Sequence, residues 1–175
     1  MDHPIPDSYW VEPGHFLAGE YPGAREEDAA LAKVGALLDA GVTLFVDLTE
    51  AGEYNLRPYW PLVQQLAGER GERVEHRRLS IPDMGTPSVD TMRLILDTID
   101  GVLAAGETVY VHCFGGIGRT GTVVGCYLVR HGMEGATALA TIAQRRQGTP
   151  DGHKRSPETD AQRVLVITWQ DESSV

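Results

Sequence analysis

Residues 110–121 have the sequence YVHCFGGIGRTG, and the rest of the chain is arranged around them. The apolar residues Thr108 to Val111 predict a short buried strand, and Thr122 to Val129 predict a helix. The glycine-rich segment between them therefore joins a strand to a helix N-terminus. Backbone N–H groups at that point have no partner within the helix and carry the positive end of its dipole. Because glycines let such a loop curl with its amides inward, the stretch predicts an anion site, most simply a phosphate cradle.

Cys113 and Arg119 stand at the two ends of this loop, where they suit phosphoryl transfer. A helix N-terminus and a neighbouring arginine favour the thiolate form of a cysteine, which is its nucleophilic form. The planar guanidinium of an arginine can bind two phosphate oxygens at once. Thr120 can direct its hydroxyl to the sulfur, whereas His112 is expected to brace the loop through ring hydrogen bonds, because adjacent strand residues point to opposite faces.

At His112-Cys113, five further residues and Arg119-Thr120, the chain resembles the cysteine-dependent protein phosphatases, and within them the small dual-specificity and tyrosine phosphatases. The resemblance implies a phosphocysteine intermediate on Cys113. Phosphate would be bound by Arg119 and by the loop Phe114, Gly115, Gly116, Ile117 and Gly118.

The resemblance extends to two other segments. The loop Pro82 to Pro87 is similar to the general-acid loop of that family, which makes Asp83 the predicted proton donor, with Asp47, Asp90 and Asp97 in reserve. An Asx turn is the plain alternative for Asp83. Ser156 to Gln162 resembles the segment in which a glutamine places the hydrolytic water. Gln162 fits equally well as a polar residue of an amphipathic helix.

Topology suggests further neighbours of the site. Glu50 or Glu53, which follow the strand that begins at Val42, could hold the Arg119 guanidinium. The basic residues Arg145-Arg146 and 153–155 could line the entrance or simply face solvent.

Two other loop motifs fit less well. Residues 116–121 match Gly-x-Gly-x-x-Gly, but a dinucleotide fold needs an acidic residue about 20 positions later, and none lies between Glu134 and Asp151. A nucleotide P-loop needs Lys-Ser/Thr after its last glycine, where this chain has Thr122-Val123.

Along the whole chain, apolar runs alternate with helical patterns, which predicts an α/β fold. We expect a mostly parallel central sheet of about four to five strands flanked by helices, like that of the protein tyrosine phosphatases. One phosphatase domain should fill residues 1–175, with short flexible ends at about 1–8 and 171–175. The predicted elements are a hairpin near 10–19, strands at 42–48, 74–81 and 108–111, and helices at 25–40, 61–70, from Thr86, from Thr122, at 134–146 and from Ser156.

The composition of the chain limits its expected partners, compartment and cofactors. The formal charge of −10 argues against nucleic acid as a partner. No apolar run reaches the roughly 18 residues of a membrane span, and residues 1–7 do not fit a signal peptide. Two cysteines without paired spacing suggest a reducing compartment, so we expect a cytoplasmic enzyme in which Cys126 packs in the core, although a redox role for it stays open. The scattered histidines have no zinc spacing, so no metal or other cofactor is expected.

The substrate remains open at this point. We expect phosphorylated proteins or peptides, with phosphotyrosine as the first candidate and phosphoserine or phosphothreonine as others. Because residues 114–118 carry no lysine, phosphoinositides and other small phosphate esters are the second choice. The alternative outside the enzymes is a module that binds phosphate groups without catalysis. Oligomeric state is not indicated by the sequence.

Overall fold

The structure is a computed structural model, and it describes residues 3–171. Within these residues, five strands and six α-helices follow one another, with a short 3₁₀ helix at Glu53–Asn55. The strands are β1 Ser8–Glu12, β2 Phe16–Gly19, β3 Val42–Asp47, β4 Glu75–Arg78 and β5 Thr108–His112. The helices are α1 Glu27–Asp39, α2 Trp60–Arg70, α3 Val89–Ala104, α4 Arg119–Arg130, α5 Gly135–Arg145 and α6 Asp160–Thr168.

The strands form one sheet in the order β1-β2-β5-β3-β4. Only the β1–β2 pair is antiparallel, as expected for a hairpin, and the other three pairs are parallel. The predicted α/β fold with a mostly parallel sheet of four to five strands is therefore confirmed. Strand β5 lies in the middle, and all five of its residues are buried. The carboxyl ends of β2, β3 and β5 consequently meet at one edge of the sheet, where ligands of such folds collect.

The two faces of the sheet have separate apolar cores. Val109 and Val111 of β5 face the core covered by α3 to α6, whereas Tyr110 faces the core covered by α1 and α2. This alternation follows from the two-residue period of a strand. Helix α4 packs against both α5 and α6. Its start is therefore fixed relative to the central strand, which positions the loop that joins them.

Three predicted helix starts differ from the structure. Helix α3 is capped by Ser88 rather than Thr86, because the Ser88 hydroxyl accepts the Thr91 backbone N–H. Helix α6 is capped by Thr159 rather than Ser156, in a capping box with Gln162. Helix α4 begins at Arg119, three residues before the predicted Thr122.

The ends of the chain also differ from expectation. Ile5 and Ser8 are buried, and Ser8 begins β1, so this part of the expected flexible start packs against the domain. At the other end, Asp171 forms an ion pair with Arg130. The remainder of both predicted flexible ends, residues 1–2 and 172–175, lies outside the described residues. Within residues 3–171, no helix has both the length and the apolar character to cross a bilayer.

Candidate active site

The cradle is the loop of residues 113–118 between β5 and α4. Two of its carbonyl groups accept hydrogen bonds from distant parts of the chain. The Phe114 carbonyl accepts the Tyr21 backbone N–H at 2.9 Å, and the Ile117 carbonyl accepts the Ser156 hydroxyl at 2.7 Å. In the part of the chain that the structure describes, the backbone N–H groups of residues 114–118 donate to no acceptor. A row of such free amides ahead of a helix N-terminus can bind an oxyanion.

Two glycines are required for this shape. Gly116 has a φ of 72°, and a Cβ placed on it would lie 2.4 Å from the carbonyl carbon of Gly19. A Cβ on Gly121 would lie 2.3 Å from the Ser156 hydroxyl oxygen. The loop therefore packs directly against the end of β2 and against the segment before α6, and no larger residue fits at either position.

Cys113 lies directly after β5, and its residue surface is 3% exposed. It is thus placed at the floor of the cradle, next to the helix start. Cys126 is buried in the core, where burial raises the pKa of its thiol above the ordinary range. Both thiols are free, so Cys126 packs in the core as predicted and forms no bridge to Cys113.

His112 braces the loop, as expected. Its Nδ1 lies 3.1 Å from the Cys113 carbonyl, which can only accept, so this nitrogen carries the proton. Its Nε2 then accepts from the Tyr59 hydroxyl at 2.6 Å. Burial lowers the pKa of His112 despite the charge of nearby Asp47. A neutral imidazole with hydrogen bonds at both ring nitrogens is suited to fixing the loop rather than to transferring protons.

Arg119 is held by Glu53. The two guanidinium NH₂ groups donate to the two carboxylate oxygens at 2.7 and 2.5 Å, and one of them also donates to the Ile81 carbonyl at 3.0 Å. Burial alone would lower the pKa of Arg119, but the bond to Glu53 and the negative charges of Cys113 and Asp83 raise it above the ordinary value. Of the two predicted glutamates, Glu53 makes the contact, whereas Glu50 bonds Glu53 through its backbone N–H and carbonyl groups.

Asp83 lies at the rim of the same site. Its Oδ1 is 3.2 Å from an NH₂ group of Arg119 and accepts the Met84 backbone N–H at 3.0 Å. Its Oδ2 accepts a hydrogen bond from the Tyr54 hydroxyl. The structure therefore brings Cys113, Arg119 and the predicted acid together in one place. The role of each stays a prediction, but their proximity is what phosphoryl transfer requires.

The three reserve acids lie elsewhere. Asp47 is buried at the end of β3, where its carboxylate accepts from Thr49 at 2.6 Å and pairs with His76 and Arg78, each at 3.1 Å. Burial alone would raise the pKa of Asp47, but the bonds from His76 and Thr49 outweigh it and hold the pKa below the ordinary range. Asp90 and Asp97 are exposed on α3, paired with Arg93 and Arg130. None of the three is placed to give a proton to a phosphate ester in the cradle.

Gln162 and Thr120 are both buried beside the loop. The Gln162 Nε2 donates to the Gly85 carbonyl in the Asp83 loop at 3.1 Å, and a Cβ on Gly118 would lie 3.3 Å from the Gln162 amide. Gln162 is thus both a capping residue and a neighbour of the cradle. The Thr120 hydroxyl has no hydrogen-bond partner among the described residues. The predicted bond from Thr120 to the Cys113 sulfur is therefore not formed in the free site, and the hydroxyl stays available.

The predicted basic entrance is only weakly supported. Arg146 is buried and donates to the carbonyls of Lys154 and Asp151, so it shapes the loop between α5 and α6 instead. Arg145 donates to the Trp10 carbonyl, and Arg155 to the Glu158 carbonyl. These arginines do not line an entrance, because each guanidinium is engaged by backbone carbonyls.

A cleft of about 770 Å³ borders the loop, and its lining includes Phe114, Gly115 and Tyr54. The rings of Tyr54 and Phe114 lie 5.3 Å apart at 45°, and both side chains are largely exposed. Sequence reasoning missed Tyr54 as well as Tyr59. Neither stands in a recognisable motif, and their partners are 29 and 53 positions away along the chain. In residues 3–171 no group of three or more potential metal ligands is present.

Comparison with known proteins agrees with this geometry. Residues 6–167 match the family model described as Swiss Army Knife protein, DSP-PTPase phosphatase domain. A putative tyrosine phosphatase of Invertebrate iridescent virus 3 is 37% identical over 64% of this chain and 41% of its own length. The dual specificity protein phosphatase CDC14AB of Danio rerio is 32% identical over 82% of this chain and 22% of its own length. The chain thus spans less than half of either relative.

Solved structures show the same fold. The crystal structure of Tk-PTP in its active form has a TM-score of 0.70 and 25% identity, covering 93% of this chain and 94% of that one. Kinase associated phosphatase, with its catalytic cysteine replaced by serine, has a TM-score of 0.71 and 19% identity over 91% and 90% of the two chains. PTPMT1 in complex with PI(5)P has a TM-score of 0.67 and 20% identity over 91% and 92%.

Proposed function

Because this chain belongs to the DSP-PTPase phosphatase family, we propose that it is a protein phosphatase that hydrolyses phosphotyrosine, with phosphoserine and phosphothreonine as further substrates. The observation that carries the proposal is the placement of Cys113, Arg119 and Asp83 around one row of free loop amides. The enzyme belongs to the phosphoric monoester hydrolases that work through cysteine.

The first step forms a phosphocysteine. The substrate phosphoryl group enters the cradle, where the amides of residues 114–118 and the Arg119 guanidinium bind its oxygens. The Cys113 thiolate attacks phosphorus from the floor, so the S–P bond forms while the bond to the ester oxygen breaks. Asp83 gives its proton to that oxygen, and the product leaves as a neutral alcohol or phenol.

The second step returns the enzyme to its starting state. A water molecule attacks the phosphocysteine, and Asp83, now a carboxylate, takes a proton from it. The P–S bond breaks, inorganic phosphate forms and Cys113 leaves as a thiolate. The unpartnered hydroxyl of Thr120 is suited to stabilising that sulfur, and the Gln162 amide, next to Gly118, is suited to placing the water.

Electrostatics support this sequence of events. Arg119 is already charged and oriented by Glu53 before substrate arrives, so little reorganisation is needed when negative charge shifts between the ester oxygen and the sulfur. In the free site, the Asp83 carboxylate forms an ion pair with one NH₂ group of Arg119. An incoming phosphate would take over that NH₂ group and leave Asp83 next to the ester oxygen.

Phosphoinositides or other small phosphate esters are the second candidate. The observation in their favour is the similar fold of PTPMT1, whose structure holds PI(5)P, although at 20% identity this concerns the fold alone. Against them, residues 114–118 bring no cationic side chain for additional phosphates of an inositol ring. We therefore favour protein substrates, and the free thiols of Cys113 and Cys126 favour a cytoplasmic setting.

The test compares wild type with Cys113→Ser on phosphotyrosine and phosphothreonine peptides and on inositol phosphates. We expect wild type to hydrolyse phosphotyrosine peptides fastest and Cys113→Ser to hydrolyse none of the substrates, while still binding inorganic phosphate in calorimetry. Equal turnover by both proteins would refute the phosphocysteine route. Phosphate binding without turnover by wild type would instead identify a phospho-binding module.

A further inference from the structure

Tyr54 lies in the short segment between β3 and α2 that contacts both Arg119 and Asp83. Glu53 holds the guanidinium, and the next residue, Tyr54, donates its hydroxyl to the predicted acid. Tyr54 and Asn55 have φ values of 50° and 52°, which side-chain-bearing residues seldom adopt. This backbone turns successive side chains to neighbouring parts of the site. Tyr54 is 64% exposed, and its ring rests against Phe114. Burial of the ring is therefore not what keeps the backbone of Tyr54 in this conformation.

The two oxygens of Asp83 face different partners. Oδ2 accepts from Tyr54, whereas Oδ1 faces the Arg119 NH₂ group at 3.2 Å and accepts the Met84 backbone N–H. Oδ1 is thus the oxygen on the phosphate side. For Asp83 to act as an acid, its proton must be on that oxygen when the ester bond breaks.

A phenol that donates to Oδ2 meets this requirement. Tyr54 stays protonated because its bond to Asp83 and the charge of Asp83 raise its pKa. Its O–H can donate to Oδ2 whether Asp83 is a carboxylate or a carboxylic acid, since the unprotonated oxygen of the acid still accepts. The bond to Tyr54 fixes the rotation of the carboxyl group, so that Oδ1 stays on the phosphate side. When a bound phosphate takes over the Arg119 NH₂ group, Oδ1 keeps only the Met84 N–H as a donor and has a lone pair free for the proton.

We propose that Tyr54 is the positioning residue of the general acid: it anchors Oδ2 of Asp83 and thereby presents the Oδ1 proton to the leaving oxygen. The inference rests on the acid role proposed for Asp83. The inference predicts that loss of the Tyr54 hydroxyl slows hydrolysis most for esters whose leaving oxygen needs that proton. Esters of weakly acidic phenols, such as phenyl phosphate, need it, whereas 4-nitrophenyl phosphate loses a stable phenolate without it.

The experiment measures kcat and KM for Tyr54→Phe, Asp83→Asn and the double variant on both esters. Tyr54→Phe removes only the hydroxyl and keeps the ring on Phe114. Tyr127→Phe is the matched control, because it removes a tyrosine hydroxyl that also bonds a carboxylate, that of Glu12, but it lies eight residues beyond Arg119 on α4. The control should behave as wild type on both esters.

Because Asp83 also acts as the base of the second step, which is the same for both esters, the esters are compared by kcat/KM, which reports formation of the phosphocysteine. We expect Tyr54→Phe to lower kcat/KM on phenyl phosphate about tenfold, a part of the ~10²–10⁴-fold that a general acid supplies. On 4-nitrophenyl phosphate the loss should be less than about twofold, because that step draws little on the acid. In the Asp83→Asn background, Tyr54→Phe should have no further effect.

Several outcomes would overturn the inference. Equal losses of kcat/KM on the two esters, or a further loss in the Asp83→Asn background, would assign Tyr54 to binding or folding instead. If Asp83→Asn lowers kcat/KM equally on both esters, the acid role of Asp83 fails and the inference falls with it. No turnover of either ester by wild type would refute the proposed function, which is a separate result.

Discussion

The bond between Arg119 and Glu53 provides the most direct test of how the site is held together. Two hydrogen bonds join the side chains at 2.7 and 2.5 Å, and the side chains are only 1% and 7% exposed. Removing one partner of a buried ion pair costs about 3–5 kcal/mol, because the other charge stays buried. Arg119 would keep the Ile81 carbonyl and Asp83, so we expect Glu53→Ala to lower the free energy of unfolding by about 3 kcal/mol, the lower end of that range.

For a domain of this size, 1 kcal/mol corresponds to roughly 2–4 °C in Tm, so Glu53→Ala should melt about 6–12 °C below wild type. Urea unfolding followed by fluorescence gives the free energy, and a thermal scan gives Tm. Glu50→Ala is the matched control, since Glu50 is exposed and bonds Glu53 through backbone groups that alanine retains, and it should stay within about 0.5 kcal/mol of wild type.

Activity provides the second readout. Without Glu53 the guanidinium can turn away from the cradle, so kcat/KM should fall more for Glu53→Ala than for Glu53→Gln, which retains one acceptor oxygen. If Glu53→Ala unfolds within 1 kcal/mol of wild type and keeps its activity, the structural role assigned to the pair is wrong.

Four further outcomes are expected. Asp83→Asn should lower kcat and remove the basic limb of the pH–rate profile; an unchanged profile would move the acid role to another residue. Gly116→Ala should lower the free energy of unfolding by about 2–4 kcal/mol, because the Cβ meets the backbone of β2 at a positive φ, whereas Gly132→Ala, with a φ of 93° and no atom within 4 Å, should cost only about 1–2 kcal/mol. Asp47 has a depressed pKa in the folded state, so its contribution to stability is present above its unfolded pKa of about 3.9 and is lost as pH falls; urea unfolding should show Asp47→Asn less stable at pH 7, with the difference shrinking below about pH 4. Turnover should persist in a chelator such as EDTA, and its loss there would reveal a metal that the reaction needs.

The elements nearest the motif were the most predictable. The residues from Thr108 to Gly121 combine a buried strand, a glycine loop and a helix start within one short stretch, so local patterns were sufficient to describe them. The hairpin and the strand from Val42 were equally clear, because their apolar patterns are simple. Helix starts were not, since Thr86 and Ser156 are both good capping residues and the structure uses Ser88 and Thr159.

The parts of the site that depend on tertiary contacts were harder to foresee. Asp47 was a candidate acid in the sequence, because nothing local shows that His76, Arg78 and Thr49 surround it. Tyr54 was missed for the same reason. Its bond to Asp83 exists only once β3 and β4 are paired and their following loops lie side by side.

The contacts between the cradle and distant segments make catalysis depend on the completion of folding. Phe114 is held from the segment after β2, Ile117 from the segment before α6, and Gly116 fits only against the end of β2. These anchors come from opposite ends of the chain, so an intermediate that has assembled the central strand and α4 alone has no shaped oxyanion pocket. Turnover should consequently appear last during refolding, and a nascent or cleaved fragment should lack the proposed activity.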